Sequence, residues 1–283
     1  MEQPLSLFGF YDPCVIALEE RFPGPAVVGI VNVTPDSFSD GGETFTAAEA
    51  VERARRQLAE GAALVDVGGE STRPGAKPVA LDEELRRVVP VLEGLRGVPV
   101  SIDTAKAEVA RRALELGAVL VNDVTALRGD PALAEVVADS DAYLCLMHML
   151  GEPRTMQLDP HYDDVVGEVA RFLEERLAFA VGVGIAEERI CLDPGFGFGK
   201  TVEHTVALLR GLETIVALGR PVLVGFSRKR ALARLLGDAE ATTSSTAASI
   251  AAAIAAYERG AWLFRVHDVR AHVEALRVAG AVA

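Results

Sequence analysis

Cysteine is scarce: Cys14, Cys145 and Cys191 are the only three in 283 residues, and none forms a CxxC pair. That excludes a disulfide framework and a thiolate zinc site, and the apolar runs around Cys145 and Cys191 read as core where the thiol acts as a small hydrophobe. Basic charge is also short, with 28 Lys and Arg against 41 Asp and Glu and a net charge of −13. Nucleic acid and anionic membrane need a basic face, so neither is expected as a partner. An anionic substrate would need a few cations gathered locally against the overall field. No apolar stretch reaches the ~20 residues of a membrane span, and no cationic segment followed by an apolar core opens the chain. The expectation is a cytoplasmic protein. Ser/Gly linkers and charge blocks are missing too, so one domain is expected, and 50% hydrophobic residues supply a large core.

What the chain does have is a repeated unit: a short β-branched run, a polar residue at its end, then a helical pattern. The strand-like runs are residues 26–33, 64–67, 98–102, 119–121, 143–147, 189–192, 221–226 and 262–266. The helical stretches that follow them are about 46–60, 81–95, 105–116, 131–138, 163–181, 202–218, 229–259 and 269–279. Strands of nearly continuous apolar character suit a parallel sheet covered on both faces. Eight such units in one series, at this length, point to an α/β (β/α)8 TIM barrel rather than an open doubly wound sheet. Gly61, Gly117, Gly219 and Gly260 stand where left-handed helix caps belong.

The run ends carry Asn32, Asp66, Asp103, Asn122, His148, Asp193, Ser227 and His267, one polar side chain per unit. Any one of these could be a turn or cap residue. The full set predicts a polar ring at the C-terminal mouth, where such barrels place their active sites. Two connections, after the first and second strands, are too long for turns and rich in Gly and Pro, the composition of loops that fold over a ligand. A third, Asp193-Pro-Gly-Phe-Gly-Phe-Gly-Lys200, lacks the spacing of a P-loop and is by itself a weak phosphate signal. The cations come late, in Ser227-Arg-Lys-Arg and Arg265-Val-His267. Residues two apart on a strand face one way, so Arg265 and His267 should grip one anion together. An extra helix over 229–236, after strand seven, falls where barrels often bind phosphate.

These stretches, in order, closely resemble the dihydropteroate synthases. Asn32-Val-Thr-Pro-Asp-Ser-Phe-Ser-Asp-Gly-Gly and Asp66-Val-Gly-Gly-Glu-Ser-Thr-Arg-Pro-Gly look like the family's two signatures. Ser101-Ile-Asp-Thr, Asn122-Asp, Leu146-Met-His-Met, the glycine stretch after Asp193, Gly225-Phe-Ser-Arg-Lys and Arg265-Val-His-Asp-Val follow. The resemblance runs from about Val28 to Arg277 and implies 26–283 as a single pterin-binding barrel domain; residues 1–25 match nothing in it and are expected to be an N-terminal lead-in. It implies condensation of 6-hydroxymethyl-7,8-dihydropterin diphosphate with p-aminobenzoate, giving 7,8-dihydropteroate and diphosphate in folate biosynthesis, and a sulfonamide target. The pterin would meet Asp103, Asn122, Asp193, Lys229 and Met147, and the diphosphate Thr72, Arg265 and His267. For p-aminobenzoate the resemblance implies Ser227, at a helix start, with Phe38, Ser71, Thr72, Arg73 and Pro74 as the covering loops. Asn32 would be the one protein ligand of Mg²⁺, and Lys229, Arg265, His267 and Asp36 would act in the reaction. The family is typically homodimeric, and the Ala-rich helix over 247–257 could meet a second copy or be an ordinary barrel helix.

Three other readings use the same barrel. A pterin-dependent methyltransferase shares the ring readers but has no need of the Ser-Thr-Arg-Pro-Gly loop. A catalytically inactive paralogue would bind pterin without turnover. A Schiff-base aldolase could use Lys229 but leaves the ring readers unexplained. The departures from the family pattern are Arg230-Ala, where Ser is expected after the lysine, and Trp262, where a smaller residue usually opens strand eight.

Overall fold

The computed structural model describes residues 15–34, 46–73 and 75–282. Asp36, Phe38 and Pro74, all named above, lie outside the described residues. Eight parallel strands form one sheet: β1 Ala26–Asn32, β2 Leu64–Gly68, β3 Val100–Asp103, β4 Leu120–Asp123, β5 Tyr143–Met147, β6 Ile190–Asp193, β7 Leu223–Val224 and β8 Leu263–Val266. Their spatial order is β6-β5-β4-β3-β2-β1-β8-β7. The remaining gap is closed by a parallel bridge between Leu192 and Val222, with Leu192 N donating to the Pro221 carbonyl at 2.9 Å. The sheet is therefore a (β/α)8 barrel, as the alternation required.

The helices are α1 Leu18–Arg21, α2 Ala47–Ala59, α3 Leu81–Gly94, α4 Ala107–Glu115, α5 Ala132–Ala138, α6 Val165–Gly182, α7 Val202–Arg210, α8 Leu212–Val216, α9 Arg230–Leu235, α10 Thr246–Tyr257 and α11 Val269–Val282. Thr46 begins α2 with a capping box, its hydroxyl accepting from Glu49 N while the Glu49 carboxylate accepts from Thr46 N at 2.7 Å. The single helix expected over 202–218 is instead two, broken at Gly211. A Cβ there would lie 3.0 Å from the Val166 side chain of α6, so the close approach requires the residue that disfavours helix. The extra helix expected after strand seven is α9. Gly61, Gly117, Gly219 and Gly260 all have positive φ after their helices.

Alternation along each strand divides the core in two. Val27, Val31, Val65, Val67, Ile102, Val121, Leu144, Leu146, Leu192, Phe264 and Val266 point outward to the helices in one large cluster. Ala26, Val28, Leu64, Leu120, Tyr143, Cys145, Cys191, Leu223 and Leu263 fill the barrel's N-terminal half. Leu18 and Phe22 join that cluster and plug the floor, so part of the lead-in belongs to the barrel's own packing. Trp262 finishes the plug: Gly24 lies flat against its indole, and Nε1 donates to the Phe22 carbonyl at 2.8 Å. An apolar floor leaves the C-terminal half of the interior to polar side chains.

Candidate active site

The strand parity that buries Leu64, Leu120, Cys191 and Leu263 also aims Asp66, Asn122, Asp193 and Arg265 inward, one layer nearer the mouth. Arg265 stands at the centre. Its Nε donates to Asp66 Oδ2 at 2.6 Å and its Nη2 to Asp103 Oδ2 at 2.7 Å. Asn122 Nδ2 donates to the same Asp66 oxygen at 3.2 Å. One guanidinium thus joins β8 to β2 and β3, and the amide joins β4. Burial works against the Arg265 charge, but Asp66 and then Asp103 outweigh it and hold its pKa above the ordinary value. Asp103 moves upward because it is buried and faces Asp66 as well as its cation.

Asp193 lies across the interior on β6. Its Oδ1 accepts from Gly195 N at 2.7 Å, and burial raises its pKa to about 6 against the opposing pull of that N–H and of Lys229. Lys229 is lowered to about 8 by burial and then by Arg265, with Asp193 opposing. Its ammonium sits 4.3 Å from the centroid of the Phe198 ring. Phe198 packs with Val124, Met147, Met149 and Met156, so Met147 belongs to an apolar wall beside the charged groups. Asp66 Oδ1, Ser101 Oγ and Asn122 Oδ1 are buried with no hydrogen-bond partner among the described residues. Buried acceptors are normally satisfied, so this depth of the barrel is built for a ligand that donates hydrogen bonds.

Gly195 and its neighbours shape the wall. The His148 carbonyl oxygen would lie 1.9 Å from a Cβ on Gly195, whose φ is +67°, so only glycine lets the β5 and β6 exits meet so closely. The fixed loop presents Gly195 N to Asp193 and the Phe198 ring to Lys229.

The second group of residues follows the ends of β7 and β8. His267 N donates to Ser227 Oγ, and Ser227 Oγ lies 3.1 Å from His267 Nδ1. Burial and then Arg228 depress the His267 pKa to about 3, so the ring is neutral at physiological pH. In the tautomer protonated on Nε2, Ser227 donates to Nδ1 and Nε2 can donate to an anion. Ser227 does not begin a helix as expected. It opens a tight turn in which Arg228 has φ +60°, and Lys229 is the extended N-cap residue before α9. Arg228 pairs with Asp268 at 2.8 Å, and both line one cavity with His267 and with Arg53 and Arg56 of α2.

Asn32 ends β1 opposite Gly68 of β2. Ser71 and Thr72 are half-buried in the connection after β2, and Arg73 is exposed, its charge reaching Lys229. The polar ring is nevertheless not eightfold. His148 faces outward between the barrel and α6, edge-on to Phe172 at 4.9 Å, and binds the Lys200 amine at 2.9 Å. Asp66 does not end its strand either, since Val67 and Gly68 continue the pairing with β1 and β3. Its place as the hub of the Arg265 cluster went unassigned in the sequence, although an aspartate inside a valine-rich strand signals a buried partner. Phe198 was missed for a plainer reason: a glycine-flanked aromatic in a loop does not reveal which cation it meets.

The known proteins that resemble this chain fit the geometry. Residues 28–267 match the family model described as pterin binding enzyme. The dihydropteroate synthase of Neisseria meningitidis serogroup B is 48% identical over 261 residues, covering 90% of this chain and 91% of that protein. The Escherichia coli K12 dihydropteroate synthase is 46% identical over 259 residues, covering 90% of each. Among solved structures, Xanthomonas albilineans dihydropteroate synthase with 4-aminobenzoic acid has a TM-score of 0.84 at 52% identity, covering 91% of this chain and 93% of that one. With its β/α barrel, its buried set of polar side chains and relatives alike over nine-tenths of its length, the chain belongs to the pterin-binding enzyme family, among the dihydropteroate synthases.

Proposed function

We infer that the chain condenses 6-hydroxymethyl-7,8-dihydropterin diphosphate with p-aminobenzoate, releasing diphosphate and forming 7,8-dihydropteroate. The observation that carries this reading is the buried constellation of Asp103, Asn122, Asp193 and Lys229 around Arg265, with unsatisfied acceptors beside it. Relatives of known structure are named as complexes with 4-aminobenzoic acid, with 7,8-dihydropteroate and, in Yersinia pestis, with a sulfonamide drug. A methyltransferase has no use for the cations above this layer, and the aldolase reading leaves the acceptors unemployed.

The pterin edge presents adjacent N–H donors and a carbonyl. Carboxylates at Asp193 and Asp103 accept from the donors, the Asn122 amide serves either polarity, and Lys229 donates to the carbonyl region. Met147 and Phe198 supply apolar contact for the flat ring. Seated so, the substrate points its diphosphate towards Arg265, His267 and Thr72. The C–O bond of the exocyclic methylene breaks, its electron pair leaving with diphosphate. The aromatic amine nitrogen then forms the new C–N bond and releases a proton. Arg265 and the neutral His267 stabilise the leaving anion by donating hydrogen bonds, and Ser71–Arg73 and Ser227 hold and cover p-aminobenzoate. Asp36, Phe38 and Pro74 are proposed to complete that cover, with Asp36 opposing the developing positive charge. Keeping water from the carbon is the cover's second task.

Magnesium fits Asn32. The residue offers one neutral oxygen at the end of β1, and no group of three or more His, Cys, Asp or Glu among the described residues could hold a metal alone. Such a site suits an ion that keeps water and substrate phosphate oxygens around it. When bound, Mg²⁺ would neutralise charge on the leaving diphosphate. We also propose a homodimer through the groove between α10 and α11, lined by Ile250, Ile254, Ala275, Val278 and Val282. Val278 and Val282 are 64% and 79% exposed, more apolar surface than a lone helix gains by showing to water.

Three outcomes are expected. The protein should release diphosphate and form dihydropteroate from the two substrates with Mg²⁺, and Arg265→Ala should lower kcat/KM at least ~100-fold. Pterin binding without turnover would favour the inactive paralogue, and a variant within a few-fold of wild type would remove Arg265 from the leaving-group role. The Asp193 carboxylate accepts from two donors and more strongly than the protonated acid, so with its pKa at about 6 pterin affinity should rise as pH rises from about 5 to about 7, by up to ~tenfold per unit below the pKa. Calorimetric titration with 6-hydroxymethylpterin checks this, and Asp193→Asn should flatten the profile; an unaltered profile would assign the dependence elsewhere. Ile254→Glu should sediment at the protomer mass where wild type sediments at twice it, and equal masses would place any dimer contact on another face.

A further inference from the structure

The connection after β2 is closed at its neck by a single carboxylate. Glu70 precedes Ser71, Thr72 and Arg73, and its Oε1 accepts from Val79 N at 3.3 Å, where the chain returns towards α3. Its Oε2 takes the Lys106 ammonium just before α4. Lys106 also pairs with Glu84 on α3, which is fully buried and whose other oxygen accepts from Thr104 Oγ1 at 2.8 Å. A second cation fixes the preceding residue. Arg87 donates to the Gly69 carbonyl at 2.8 Å while pairing with Glu83 at 2.7 Å.

These charges are not ordinary surface pairs. A fully buried carboxylate such as Glu84 must be compensated, and Lys106 is the cation that compensates it. Burial pulls the Lys106 pKa down, but Glu70 and Glu84 together hold it above the ordinary lysine value. Lys106 is therefore committed as a cation, fixed on one side by helix α3 and free on the other to hold a loop. Among the described residues the loop's own backbone N–H groups make three further bonds: Arg73 N to Ser71 Oγ at 3.4 Å, Ala76 N to the Arg73 carbonyl at 3.0 Å and Gly75 N to the Pro153 carbonyl at 3.3 Å. Asp103, Asn122 and Asp193 stand on the barrel strands β3, β4 and β6 themselves, and neither Glu70 nor Lys106 bonds to them.

We propose that Glu70 and Lys106 are positioning residues that hold Ser71, Thr72 and Arg73 over the p-aminobenzoate side of the site, so that this pair sets the affinity for the arylamine and not for the pterin ring. The inference rests on the reading that these three residues cover p-aminobenzoate. It applies to a link that leaves the chemistry untouched: neither residue faces the reacting atoms.

The test uses the full-length protein with Mg²⁺. Glu70→Gln keeps an acceptor for Val79 N–H but loses the charge that holds Lys106, and it leaves the Glu84–Lys106 pair intact, so folding is spared. Lys106→Met and the double variant complete a cycle. KM for p-aminobenzoate is measured at saturating dihydropterin diphosphate, and 6-hydroxymethylpterin binding is measured by calorimetry. Glu70→Gln should raise KM for p-aminobenzoate ~tenfold with pterin affinity within ~twofold of wild type, and the double variant should be no worse than Lys106→Met alone. An unchanged KM for p-aminobenzoate in Glu70→Gln, or equal losses for both ligands, would overturn the proposal. Arg73→Ala separates the two layers of inference. If it raises KM for p-aminobenzoate and Glu70→Gln does not, the positioning role fails while the site reading stands. If Arg73→Ala leaves that KM unchanged, the site reading fails and takes the positioning role with it.

Discussion

Arg265 clasped between Asp66 and Asp103 is the interaction on which the site depends. The chain carries a net charge of −13, yet it commits a guanidinium to the barrel's interior and surrounds it with carboxylates on two neighbouring strands. A guanidinium alone at that depth would be an uncompensated buried charge, and two carboxylates alone would repel one another. Together they compensate one another's charge and present acceptors and a donor in fixed places. The apolar floor of Leu18, Phe22, Leu64 and Leu263 makes this possible by keeping water out from below. Lys229 and Asp193 then form a second, more loosely coupled pair, with pKa values displaced towards each other by burial. A site so arranged recognises a ligand by filling vacant acceptors, which suits a flat heterocycle with a row of N–H groups better than a bare anion.

Rigidity at the bottom contrasts with loops at the top. The glycine stretch after β6 touches the β5 exit so closely that side chains are excluded, and it carries Phe198 to Lys229. The connection after β2 takes anchorage from Arg87 of α3 and from Lys106 at the start of α4. This division matches a reaction with two demands. The pterin must be read by groups that do not move, while the arylamine must enter and be covered before a reactive carbon forms.

Much of this was legible in the chain. Periodic β-branched runs announced eight strands because a parallel sheet buried on both faces needs them. Strand parity put Arg265 on the inner face with Leu263. Strand parity also explains the errors. His148 follows Leu144 and Leu146, which face the helices, so it turns outward to Lys200 and Phe172 and leaves the polar ring. Asp66 has the parity of Leu64 and turns inward, where no local pattern could say which cation would meet it across the barrel. Helix 202–218 broke at Gly211 because of Val166, a tertiary contact invisible to local propensity. Glu70 sat within a stretch recognised as a whole, and only the fold shows that its partner Lys106 comes from the next strand-helix unit.

The central claim is that Asp66 organises the site by orienting Arg265 and Asn122. Calorimetric binding of 6-hydroxymethylpterin to Asp66→Asn, with Arg265 and Asn122 intact, tests it most directly. Affinity at least ~tenfold below wild type, in a protein that still unfolds cooperatively, is the expected result. Wild-type affinity in that variant would mean the pterin readers hold their places without the clasp, and would contradict the account.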